Sequence, residues 1–261
     1  MCLIALAYQQ HPRYRMVLLA NRDEFYSRPT APAQWWDDQP HILGGRDLKA
    51  GGSWMVVHRN GRWAALTNYR ELKNLKLEAP SRGELVTEFA RSTLSSKAYL
   101  QKIAPSLHLY NGLNLIVDDG KQPAYISNRG AELSLLNPGI YGLSNHLLDT
   151  PWPKVKRLKD ELGKLLSRKA ALKAEDLLPL LCHKEQAPDE LLPDTGVGIE
   201  WERWLSPAFI ETENYGTRVS TVLLIDYEGN VMFAEKDWKG GELRQFEFEI
   251  AKTPLDLPRV R

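Results

Sequence analysis

Two apolar runs, residues 2–7 and 16–20, lie on either side of a short polar turn, Tyr8-Gln9-Gln10-His11-Pro12-Arg13. Runs of this length joined so closely read as a buried strand pair that opens the fold. The same signal returns along the chain. Residues 53–58 and 63–67 flank Arg59-Asn60-Gly61-Arg62, whose Asn-Gly suits a hairpin turn. Residues 219–226 and 231–235 flank Tyr227-Glu228-Gly229-Asn230 in the same way. Further strands are expected at 113–117, 124–127, 133–135 and 139–143, and residues 245–250 alternate polar and apolar as a half-buried strand does. The segment 25–40, with Pro29, Pro32 and Pro40, reads as an ordered loop.

Helical patterns are fewer. Ser81 and Glu84 have capping-box spacing ahead of Leu85, Val86 and Phe89, which predicts a helix start. A short helix follows over 97–103. Residues 153–166 place Val155, Leu158, Leu162 and Leu166 among Lys and Arg, an amphipathic helix with proline in its first turn. Residues 177–181 read as helical around Pro179, with Cys182-His183 on the same helix, and 188–198 as loop. The order is strands, two helices, strands, two helices, strands. It fits an α+β fold of two antiparallel sheets with helices outside better than a parallel βαβ sheet. No repeat or linker interrupts residues 1–261, so one domain is expected.

Composition excludes several classes of partner. Lys+Arg (34) and Asp+Glu (33) nearly cancel and form no long run of one sign. A nucleic-acid or anionic-membrane partner is therefore not expected. No apolar stretch approaches the ~20 residues that span a bilayer. The start, Met-Cys-Leu-Ile-Ala-Leu-Ala, lacks the basic residues of a signal peptide. Cytoplasmic residence is the expectation, with Cys2 and Cys182 as free thiols. There is no Cys-x-x-Cys, no His-Glu-x-x-His and no phosphate-cradling glycine loop, so neither metal nor cofactor is expected. The sequence sets no oligomeric state.

The chemistry centres on Cys2. If Met1 is removed, one residue carries both a thiol and an α-amine. That amine has a pKa near 8, so much of it is neutral at physiological pH and can take the thiol's proton. Cleavage of an amide by the thiolate builds negative charge on the carbonyl oxygen, which a side-chain amide such as that of Asn68 can stabilise. Asp23 can hold the ammonium form, and Arg22 or Arg218 can lower the thiol pKa. Asn145 can accept from the amine or complete the oxyanion pocket. The alternatives are a core cysteine, a structural ion pair for Asp23 and Arg218, and turn roles for the two asparagines. His146 and His183 offer weaker Cys/His pairings, and Trp35-Trp36 and Trp201/Trp204 read as packing residues or a pocket mouth.

Asn21-Arg22-Asp23-Glu24, some twenty residues after Met1-Cys2, resembles the signature of the NRDE family, also called the transport and Golgi organisation family. The resemblance continues through Gly45-Arg46-Asp47, Gly51-Gly52-Ser53-Trp54, Ala65-Leu66-Thr67-Asn68-Tyr69-Arg70, Ser81-Arg82-Gly83, Gly142-Leu143-Ser144-Asn145, Leu192-Pro193-Asp194-Thr195-Gly196 and Tyr215-Gly216-Thr217-Arg218. It implies a four-layer αββα sandwich of the N-terminal-nucleophile hydrolase kind, similar to penicillin V acylase and bile salt hydrolase. By that likeness Cys2, Arg22, Asp23, Asn68, Asn145 and Arg218 are catalytic. The acylases space their Arg and Asp apart, whereas here the two are adjacent, so Asn21 and Glu24 are alternatives for those positions. Asn21, Glu24, Arg46, Asp47 and Arg70 are otherwise expected to support the site or contact substrate. The implied function is hydrolysis of a non-peptide carbon–nitrogen bond in an acylated small molecule through a thioester. The alternative is a non-catalytic carrier or chaperone for lipid or haem, holding an apolar ligand.

Overall fold

The computed structural model describes residues 2–71 and 73–251, so Met1 lies outside the described residues. The chain opens with β1 (Cys2–Tyr8), β2 (Tyr14–Phe25), β3 (Thr30–Trp36), β4 (Gln39–Asp47), β5 (Met55–His58) and β6 (Trp63–Asn68). Two helices follow, α1 (Arg82–Arg91) and α2 (Ser96–Ile103), then β7 (Leu113–Asp118), β8 (Pro123–Ser127), β9 (Ala131–Leu135) and β10 (Gly139–Leu143). The last part holds α3 (Pro153–Leu166), α4 (Ala174–Leu177), α5 (Ile199–Leu205), β11 (Tyr215–Asp226), β12 (Asn230–Asp237) and β13 (Leu243–Glu249).

The strands form two antiparallel sheets. One runs β10-β1-β2-β11-β12-β13 and the other β3-β4-β5-β6-β7-β8-β9. On β1 and β2, Ile4, Leu6, Met16 and Leu18 face the second sheet and pack with Leu43, Met55, Val57 and Trp63. The alternate residues Leu3, Ala5, Val17 and Leu19 face Val155, Leu158 and Leu162 of α3. The second sheet turns Val56, Ala64 and Leu115 onto Leu85, Val86 and Phe89 of α1 and Leu100 of α2. The layers are thus helix, sheet, sheet, helix, the expected α+β arrangement. Burying strands on both faces explains why their sequences are unbroken apolar runs. Each fully buried Leu, Ile or Phe contributes about 1.5–3 kcal/mol. Strand β13 alternates because one face alone is covered: Phe246 and Phe248 pack on the inter-sheet core while Glu247 and Glu249 are exposed.

Several expectations are corrected. The segment 25–40 is not a loop but carries β3 and the start of β4. Strand β3 is the outer strand of its sheet, and its register slips between Ala31 and Gln34, so Pro32 removes no ladder hydrogen bond. Ser81 does flank α1, yet its side chain makes no cap; the Glu84 N–H donates instead to the Ser81 carbonyl. Residues 178–181 form a 3-10 turn that Cys182 closes, so Cys182 and His183 are not on a helix, and His183 lies 2.8 Å from Glu161. Helix α5 was unexpected. Its Ile199, Trp201 and Trp204 are exposed and only Glu202 and Leu205 are buried, so no apolar stripe marks it. Cys2 and Cys182 are both free thiols. No helix among the described residues is long and apolar enough to cross a membrane.

One contact needs glycine on both sides. A Cβ on Gly52 would lie 2.6 Å from the Gly83 carbonyl carbon, and one on Gly83 would lie 2.9 Å from Ser53 N. The start of α1 is thereby seated against the loop after β4. Gly52→Ala is expected to cost about 1–3 kcal/mol by overpacking backbone on backbone, read as a lower midpoint in urea unfolding.

Candidate active site

Cys2 begins β1 and pairs across the sheet with Arg22 of β2. By strand alternation both side chains lie on the inter-sheet face, where the apolar core ends and a cavity of about 450 Å³ opens. Cys2, Arg22, Asp23, Glu24, Asp47 and Asn68 line it, together with Arg28, Lys49, Ser53, Trp54, Leu77 and Arg82. A larger groove of about 660 Å³ lies beside Tyr14, Met232 and Glu247 on the outer side of β12 and β13, and Cys2 is not among its lining residues.

Charges alternate along one wall. Arg28 Nε donates to Asp47 Oδ2 at 2.7 Å. Arg22 Nη2 lies 3.8 Å from Glu24 and 3.9 Å from Asp47. The Arg22 guanidinium also stacks on Trp54, 4.3 Å from the ring centroid, and donates to Thr30 Oγ1 at 3.3 Å. Asp47 Oδ1 accepts from the backbone of Lys49 and Ala50 at 3.0 and 3.1 Å, which fixes the turn that follows β4. Burial pushes the Cys2 thiol above its ordinary range; Asp23 and Glu24 push the same way and Arg22 opposes them.

Beneath the cavity lies a second set of buried polar groups. Asp23 accepts from Thr217 Oγ1 at 2.7 Å. Burial raises its pKa, and Lys154, Thr217 and Arg70 act against that rise. Lys154 of α3 is buried, donates to the Leu205 carbonyl at 2.7 Å, and burial pushes its ammonium down to about 8. Arg70 pairs with Glu202 of α5 at 2.5 Å and lies over Trp152, 4.9 Å from the ring centroid. Glu202 also accepts from the Thr195 backbone at 2.9 Å. This joins the Leu192-Pro193-Asp194-Thr195-Gly196 segment to the end of β6.

Ser144-Asn145 ties the two sheets together at Cys2. Ser144 Oγ donates to the Cys2 carbonyl at 3.1 Å, and Thr67 Oγ1 donates to the Ser144 carbonyl at 2.6 Å. Asn145 Nδ2 donates to the Asn68 carbonyl at 2.9 Å, and the Arg70 N–H donates to the Asn145 carbonyl at 2.7 Å. Asn145 is therefore a buried bridge under Asn68, not a wall of the cavity.

The remaining sequence-predicted residues sit farther out. Arg218 lies where β11 slips register against β2, and its Nη1 donates to the carbonyls of Phe25 and Arg28 at 3.0 and 3.1 Å. It holds the turn from which Arg28 reaches the cavity. Asn21 points to the helix layer: its Nδ2 donates to Leu181 and Ala208 carbonyls at 2.9 and 2.8 Å, and its Oδ1 accepts from Ser220 Oγ at 2.5 Å. Arg46 pairs with Asp38 at 2.7 Å and covers Trp36 outside the cavity. Glu24 lines the cavity whereas Asn21 does not, so the two alternatives for the acylase positions part here. Reading the sequence missed Arg28, Arg82, Ser144, Lys154 and Glu202. Arg82 and Ser144 stand inside motifs already singled out, but nothing distinguishes Lys154 from the solvated lysines of its helix until burial is known. Among the described residues no group of three or more His, Cys, Asp or Glu is placed to hold a metal.

Comparison with known proteins agrees with the fold. A mutant of the conjugated bile acid hydrolase from Clostridium perfringens superposes with a TM-score of 0.50 at 8% identity, covering 100% of this chain and 96% of that one. The Caenorhabditis elegans orthologue of N-acylethanolamine-hydrolyzing acid amidase gives 0.50 at 12% identity, over 85% of this chain and 92% of that one. In sequence, the human Transport and Golgi organization protein 2 homolog is 37% identical over 96% of this chain and 99% of its own length. The Drosophila melanogaster Transport and Golgi organization protein 2 is 28% identical over 92% of this chain and 93% of its own length. Residues 1–240 match the family model described as Transport and Golgi organisation 2, and the chain belongs to that family.

Proposed function

We propose that the protein is a cysteine amide hydrolase, in which Cys2 attacks the carbonyl of an acylated small molecule and carries the acyl group as a thioester. The observation that carries this reading is Cys2 on the wall of the inter-sheet cavity that Arg22 and Asn68 also line, in a fold shared with a conjugated bile acid hydrolase and an N-acylethanolamine-hydrolyzing acid amidase. Because burial raises the pKa of the thiol, attack by the sulfur calls for a base on the spot to take its proton. Removal of Met1 supplies that base as the α-amine of Cys2.

The amine takes the thiol proton while sulfur bonds to the carbonyl carbon. The proton then passes to the leaving nitrogen, the carbon–nitrogen bond breaks, and an amine product departs. Water attacks the thioester, its proton returns by way of the amine to sulfur, and the carboxylic acid leaves. Asn68 donates to the oxyanion and Arg22 places positive charge beside the sulfur. Asp23 balances the ammonium form, with Lys154 and Arg70 behind it. Trp54, Leu66, Leu77, Ala79 and Pro80 offer the acyl chain an apolar wall.

Intact mass tests the processing step: the purified protein is expected to be lighter by one methionine residue. Hydrolysis of a panel of N-acyl compounds tests the chemistry, with a mass increase equal to the acyl group marking the thioester. Asn68→Ala is expected to lower kcat by about 10²–10³ with a smaller change in KM, measured on whichever compound is cleaved. Retention of Met1 would overturn this mechanism, and tight binding of an apolar ligand that Cys2→Ala leaves unchanged and that is never turned over would point to a carrier instead.

A further inference from the structure

Arg82, the first residue of α1, enters the Cys2 cavity from the side of the second sheet. Two contacts hold it there. The Gly52–Gly83 approach seats the helix start, and Arg82 Nη1 donates to the Gly112 carbonyl at 2.9 Å. Burial lowers the pKa of its guanidinium; Cys2 and Glu24 across the cavity act against that fall and Arg28 adds to it. Arg22 and Arg28 are balanced by Glu24 and Asp47 on the same wall. Arg82 differs: among the described residues it makes no ion pair, and its one hydrogen bond is to a neutral carbonyl. Lys49 stands on the same rim and adds to the surplus of positive charge. A half-buried guanidinium with one edge tied to a carbonyl keeps further donors for a planar or tetrahedral anion.

We infer that Arg82 receives an anionic group of the substrate, a carboxylate or a phosphate, beside the amide that Cys2 attacks. The inference rests on the hydrolase reading and narrows it. The apolar wall from Trp54 to Pro80 takes the acyl chain while Arg82 and Lys49 take the charge, so the substrate is an amphiphile with a short anionic end. The cavity, at about 450 Å³, has room for such a molecule.

Three compounds with one acyl chain test it: N-decanoylglycine, N-decanoyl-phosphoethanolamine and N-decanoylethanolamine. Each is assayed for turnover by the mature protein and for binding to the Cys2→Ala protein by calorimetry. One of the two anionic compounds is expected to exceed the neutral one by roughly 10- to 100-fold in both readouts, and which one does so tells carboxylate from phosphate. Arg82→Gln is expected to remove that preference and Arg82→Lys to restore part of it. Where Arg82→Gln does not fold, Arg82→Lys serves alone, with a preference several-fold below wild type. Equal treatment of the three compounds by wild type, or a parallel loss on all three in the Arg82 variants, overturns the inference and leaves Arg82 as a support for α1. If nothing is cleaved but an anionic compound still binds the Cys2→Ala protein through Arg82, the hydrolase reading fails and the anion site stands.

Discussion

Cys2→Ala is expected to lower amide turnover by on the order of 10⁴-fold or more while leaving ligand binding near its wild-type level. The size follows from what the substitution removes. Without sulfur there is no thioester, and the two-step route closes, so only positioning and the oxyanion donor remain. The fold should hardly notice the change, since Cys2 contributes one small side chain at the end of a strand whose packing comes from Leu3, Ile4, Ala5 and Leu6. A melting temperature within a few degrees of wild type is therefore part of the expected result. The outcome that rejects the reading is residual turnover within about tenfold of wild type. Cys182 gives the matched control: it is half-buried, its thiol faces the Leu178 carbonyl, and Cys182→Ala is expected to leave turnover unchanged.

The largest effect on stability is expected at Glu202, not in the hydrophobic core. Its carboxylate pairs with Arg70 at 2.5 Å, and the two side chains are 3% and 4% exposed. Glu202→Ala removes the carboxylate that pairs with the buried Arg70 guanidinium and releases the Thr195 backbone N–H, at a cost of about 3–5 kcal/mol. Urea unfolding reads this as a shift in midpoint at constant slope. The paired replacement Arg70→Met with Glu202→Leu is expected to recover part of the loss, because neither member of the pair is then left buried without the other. A single-variant loss below about 1 kcal/mol would mean that water reaches the pair and screens it. Stability and turnover should separate here: Glu202 lines no part of the Cys2 cavity, so folded Glu202→Ala protein keeps measurable activity.

Elements were legible in the sequence where their environment is simple. β1 and residues 16–20 of β2 are apolar without a break because a sheet and a helix cover them, and β13 alternates because one side of it is bare. β3 was hidden by Pro29 and Pro32, which an outer strand with a slipped register tolerates. α5 was hidden because the residues it buries are a glutamate and one leucine, not an apolar stripe. The candidate site divides in the same way. Cys2, Arg22, Asp23 and Asn68 sit at strand ends inside recognisable motifs and meet at one cavity. Asn145, Arg70, Arg218 and Asn21 belong to the same motifs, yet their hydrogen bonds show them holding the frame that the cavity is cut into. Motif membership alone does not separate these two groups. The direction of each side chain does, and strand parity gives that direction only once the register is known.

The Ser144–Cys2 contact spans 142 positions, and β2, the partner of β1, has β11 at residues 215–226 as its other neighbour. During synthesis the sheet that holds the first strand therefore cannot be complete until β11 has emerged. At ~5–20 residues per second that interval lasts ~10–45 seconds. On the proposed mechanism, which requires removal of Met1, that interval is when an aminopeptidase would act, before β1 is covered by its sheet neighbours and α3. Late closure of the sheet would then set a time window for trimming. A variant that docks β1 early, or a chain trimmed too slowly, would be expected to fold with its base still blocked.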